Sequence, residues 1–71
     1  MSDTAPAAAP IETLKETHLG LDLAVIAFTK GCLSPEELWA ECDWAATSYE
    51  RHGVKDARKT VFARYAELIA E

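Results

Sequence analysis

The sequence predicts an all-α fold of three helices, arranged as a small bundle or as a helical hairpin with a third arm. Three observations point there. Apolar side chains recur every three to four positions along three separate segments. A capping signature opens the middle segment. Gly31 and Gly53 stand where the first two segments should stop, the place for a left-handed residue after a helix.

The first helix is expected to begin at Pro10, a favoured first helical position, and to end near Lys30. Its main stripe is Ile11, Leu14, Leu21, Val25 and Phe28. Gly20 interrupts it and is expected to kink or break it, at about 1 kcal/mol relative to Ala. A strand over Leu21 to Phe28 is the competing reading. It has no second strand to pair with, and a lone strand leaves its backbone groups unsatisfied.

The middle helix carries the clearest local signal. Ser34 caps, Pro35 takes the first helical position, and Glu37 completes a capping box, with Leu33 and Leu38 as the hydrophobic staple. This helix should stop near His52. On it Leu38, Cys42, Ala45 and Tyr49 share one face, with Trp39 and Ala46 at its edge. The third helix is expected from about Lys55 to Ala70. Asp56 favours its first turn, and an arc of Val54, Ala57, Val61, Phe62, Tyr65, Leu68 and Ile69 faces inward.

Seventy-one residues make one domain. A tail is expected over 1–9, where Ala, Pro, Ser and Thr dominate without apolar period, and one helical domain over 10–71. A chain this short buries only about 60% of its unfolded surface, so its core is small. Leu19 to Phe28, broken by Gly20 and Asp22, is too short to span a bilayer. No basic region precedes an apolar run, so no signal peptide is expected and the cytoplasm is the expected location.

Two cysteines make no disulfide framework. Cys32 lies in a turn and Cys42 some 12 Å along the next helix, about eight residues at 1.5 Å each. Free thiols are expected, since a disulfide needs Cα atoms within about 7 Å. His18, Cys32, Cys42 and His52 are spaced by 14, 10 and 10 residues, without the close ligand pairs of zinc sites. His18 is expected as a core-edge histidine with a hydrogen-bond partner, and His52 as a charge at a helix C-terminus. No metal, cofactor or catalytic residue is expected. Nucleophile motifs, phosphate loops and paired acids do not occur, and a domain of this size has little room for a pocket.

The remaining signals concern surfaces. Trp44 points away from the core face of the middle helix, among Glu37, Ala40, Glu41, Thr47, Ser48 and Arg51, and is a candidate binding anchor. The first helix is apolar on more than one side. Leu19, Leu23 and Ile26 lie on arcs flanking or opposite its main stripe, more than a small domain can hide. Charge is segregated. Ser34 to Glu50 carries Glu36, Glu37, Glu41, Asp43 and Glu50 and no base, whereas Arg51 to Arg64 carries Arg51, Lys55, Arg58, Lys59 and Arg64 and the single acid Asp56. Arg58 falls on the apolar arc, and Asp22 or Asp43 is its expected ion-pair partner.

These signals favour a protein-interaction module: an accessory subunit, adaptor or inhibitor that packs helices against a protein partner or a second copy. Its contact residues would be Trp44, Glu37, Glu41, Leu19, Leu23 and Ile26. Two alternatives involve nucleic acid. One is a helix-turn-helix binder using the basic third helix, with Arg51, Lys55, Lys59 and Arg64 as contacts. The other is an acidic inhibitor that mimics nucleic acid. A net charge of −5 weighs against the first, and five acids on one helix support the second only thinly.

Overall fold

The computed structural model of the protein describes residues 13–70. Three helices and no strand are present among them: α1 (Leu14–Thr29), α2 (Pro35–Arg51) and α3 (Ala57–Ala70). The expected tail over 1–9, together with Pro10 and Ile11, lies outside the described residues.

α1 begins at Leu14, not at Pro10. Thr13 is its cap, with extended backbone, and accepts from the amide of Glu16, while the Glu16 carboxylate accepts from the amide of Thr13 at 2.9 Å. This capping box satisfies two otherwise orphaned amides. α2 opens with the expected counterpart. Ser34 accepts from the amide of Glu37 at 3.1 Å, the Glu37 carboxylate takes the amide of Ser34 at 2.8 Å, and Pro35 stands in the first turn.

α1 and α2 end in the same way. At α1, Gly31 (φ 81°) donates to the carbonyl of Phe28 and Cys32 to that of Ala27. At α2, Gly53 (φ 78°) donates to Glu50 and Val54 to Tyr49. Both are Schellman turns, in which a left-handed residue closes the last carbonyls and glycine adopts that backbone without a Cβ clash. α3 begins two residues later than the expected Lys55. Asp56 does not join its first turn; it takes the left-handed conformation (φ 57°) and only its carbonyl receives the amide of Thr60.

α2 is the middle helix and both neighbours run antiparallel to it. Along α1, Thr17 bonds Ser48, His18 bonds Tyr49, and Gly20 lies under Trp44, so partner numbers fall toward the α2 start. Along α3, Arg58 reaches Asp43, Thr47 and Glu50, while Phe62 stacks on Trp39. α1 and α3 pack on α2 and touch one another only through side chains. The core is Leu21 and Ala24 from α1, Leu38, Cys42, Ala45 and Ala46 from α2, and Val61 from α3. Phe28, Leu33, Tyr49, Phe62, Tyr65 and Leu68 close its edges. Leu38 is fully buried, which contributes about 1.5–3 kcal/mol.

Helix one meets α2 through Leu21 and Phe28 of its expected stripe, together with small residues outside it. The buried positions of α1 are Thr17, Leu21 and Ala24, whereas Leu14 is exposed. Small side chains at Thr17, Gly20 and Ala24 let the two helices approach closely. α1 is also continuous through Gly20. An added Cβ there would lie 3.1 Å from the Trp44 ring, so the glycine makes room for the indole and does not break the helix. Of the expected inward arc, Val54 lies ahead of α3 and Ile69 within it, and both are exposed.

Candidate protein-interaction surface

Both tryptophans are exposed. Trp44 is 38% exposed and its ring edge rests on Gly20 of α1. One residue of the polar face on which it was expected, Ser48, takes part in the contact with α1. Ser48 on that face is buried, and its hydroxyl is 2.6 Å from that of Thr17. Serine and threonine thus form part of the α1–α2 contact, which an apolar-periodicity reading passes over. Trp39, expected at the edge of the core, is 48% exposed. It stacks on Phe62 (ring centroids 5.6 Å apart), Phe62 meets Tyr65 edge-on, and the Arg58 guanidinium lies over the Phe62 ring.

The two charge blocks meet at Arg58. Arg58 donates to Asp43 at 2.7 Å and to Thr47 at 3.0 Å, and lies 3.4 Å from Glu50. Its hydrogen bonds to Asp43 and then Glu50 hold its pKa above the ordinary arginine value. Of the two expected partners, Asp43 takes Arg58, while Asp22 pairs with Arg64 at 3.5 Å. Arg64 therefore ties α3 to α1. Arg51, Lys55 and Lys59 are exposed. Glu37 is committed to the α2 cap, and Glu41 is exposed.

A groove of about 280 Å³ opens between α1 and α3 over the end of α2. Val54, Ala57 and Val61 line its apolar part, and His18, Tyr49 and Arg64 its polar part. His18 is exposed, unlike the core-edge position expected, but it has a partner: Nδ1 is 3.1 Å from the Tyr49 hydroxyl, and Nε2 is 3.8 Å from Asp22. Burial, and then the charge of Asp22, push the Tyr49 phenol above its ordinary pKa, so it stays protonated and is not an activated nucleophile. The Cys42 thiol is also pushed up by burial, while Cys32 is exposed and both thiols are free. His52 is the C-cap of α2, and its Nδ1 lies 2.9 Å from the carbonyl of Ser48. Among the described residues no three His, Cys, Asp or Glu side chains converge as metal ligands, and no helix is long and apolar enough to cross a membrane.

The outer face of α1 is the surface with the least cover. Leu19 and Leu23 are each 57% exposed and Ile26 50%. At about 100° per residue these three lie nearly opposite Thr17, Leu21 and Ala24, which pack on α2. The full exposed seam is Glu16, Leu19, Leu23, Ile26 and Lys30, at intervals of 3, 4, 3 and 4 residues. That is the alternation of the a and d positions of a heptad, the pattern of a helix meeting another helix. No family model, curated protein or solved structure matches the chain.

Proposed function

We propose that this chain is a small helical protein-interaction module of the cytoplasm, an accessory or regulatory subunit with no catalysis of its own. It docks through the outer face of α1 against an apolar helix. The observation that carries this reading is the exposure of Leu19, Leu23 and Ile26 on the side of α1 turned away from α2. Burying such a row stabilises a complex, because each leucine or isoleucine removed from water contributes about 1.5–3 kcal/mol when fully covered. Trp44 extends the apolar surface, since it rests on Gly20, one turn from Leu23.

The test is a comparison of bound proteins recovered from the native host with the wild type and with Leu23→Lys. The side chain projects into solvent, so the variant keeps its helical circular dichroism. Recovery of the specific partner should fall at least about tenfold, equivalent to about 1.4 kcal/mol. Equal recovery with both proteins would sink the reading.

A further inference from the structure

We infer that the partner of the α1 seam is a second copy of this chain, paired antiparallel, so that Lys30 of each copy meets the acidic start of the other's α1 at Glu16. The inference rests on the docking reading of α1 and narrows it.

The distribution of charge along the seam favours this occupant. Read from its N-terminal end, the seam is an acid (Glu16), three apolar side chains (Leu19, Leu23, Ile26) and a base (Lys30), with the exposed Lys15 about 20° beyond its edge on the side away from Glu16. All five fall within an arc of about 80° at 100° per residue. A symmetric dimer requires a patch that complements itself. Reversed against its own copy, this seam sets base on acid at both ends and leucine and isoleucine on one another between. Laid parallel, it sets Glu16 on Glu16 and Lys30 on Lys30, which repel. Antiparallel helices also place opposite dipole ends together. Glu16 is ionised at neutral pH, since its hydrogen bonds with Thr13 hold its carboxyl below the ordinary glutamate range.

The size of the domain supplies the reason to pair. Its largest fully buried side chains are Leu38, Thr17 and Cys42, a small interior for three helices. Three apolar side chains per copy make a short seam, of the weak class that buries under about 1,200 Å² in total. The pairing is therefore reversible and concentration-dependent.

Sedimentation equilibrium of the full chain over a concentration series up to about 1 mM tests it. The mass should rise from 7.8 kDa toward twice that value. Leu23→Glu should hold the chain at the monomer mass, and Lys30→Glu should weaken pairing at least about tenfold. Combining Glu16→Lys with Lys30→Glu should restore it, because base and acid then exchange places in both copies; circular dichroism checks that each variant is helical. A second measurement keeps the wild-type sequence: carbodiimide coupling should join Lys30 to Glu16 between chains, since on one helix they lie roughly 21 Å apart. A wild type that stays monomeric overturns self-pairing. If Leu23→Lys still abolishes recovery of a host protein in that case, the docking reading stands without it. A dimer that survives Leu23→Glu, a double variant as weak as Lys30→Glu, or a wild-type dimer lacking the Lys30–Glu16 product also overturns the inference.

Discussion

The Thr17–Ser48 hydroxyl pair shows how much a small core depends on single polar contacts. Both residues are buried, and at 2.6 Å they satisfy each other across the α1–α2 contact. A buried hydroxyl left without its partner costs about 1–3 kcal/mol, whereas replacing both by apolar groups of similar shape is nearly neutral. Thr17→Val alone should therefore lower the chemical-denaturation stability by about 1 kcal/mol or more, and adding Ser48→Ala should recover most of that loss. An additive double variant would show that the hydroxyls act independently. The two thiols give a second check at this scale. A maleimide reagent at pH 7–8 should label the exposed Cys32 quickly and Cys42 only on unfolding, because burial both shields the Cys42 thiol and raises its pKa. Equal labelling rates in the native protein would contradict the packing of α2.

Among the elements, α1 best separates what patterning reveals from what it hides. The α2 start at Ser34 and Pro35 and the turns at Gly31 and Gly53 were legible because capping and left-handed backbone are local chemistry. The α1 start was equally legible, since Thr13 and Glu16 form the same capping box, but Pro10 drew the boundary four residues early. The α1 face that meets α2 was not legible from hydrophobicity, because Thr17, Gly20 and Ala24 are small or polar and act by permitting close approach. Trp44 is exposed as expected, but its contact with Gly20 could not be read, because a glycine carries no apolar signal. The apolar excess of Leu19, Leu23 and Ile26 could be read in advance, but the charged ends of their seam emerged only once the buried face was known. Gly20 provides the element's own test. Gly20→Ala gains about 1 kcal/mol of helix propensity, which the pivot of a half-exposed Trp44 offsets, so its melting temperature should change little. Gly20→Leu has no room beneath the indole; it should lower the melting temperature and red-shift Trp44 emission in a Trp39→Phe background. A Gly20→Leu protein as stable as wild type would show that the indole does not need the glycine.

In the whole molecule, α2 holds its two neighbours by different means. α1 is set by small side chains and a hydroxyl pair, α3 by Arg58 and the Trp39–Phe62 stack. The opposed charge blocks of α2 and α3 meet at Arg58, which pairs with Asp43 and Glu50. The outer row of α1, by contrast, has no counterpart within the described chain.

The middle position of α2 also bears on how the chain reaches this shape. Each helix packs on the helix next to it in the chain, across turns of only a few residues, and no backbone contact joins the first helix to the last. Few long loops must close before favourable contacts form, so the search is short. Such a topology belongs with the rapid folders, which complete the process in microseconds to milliseconds.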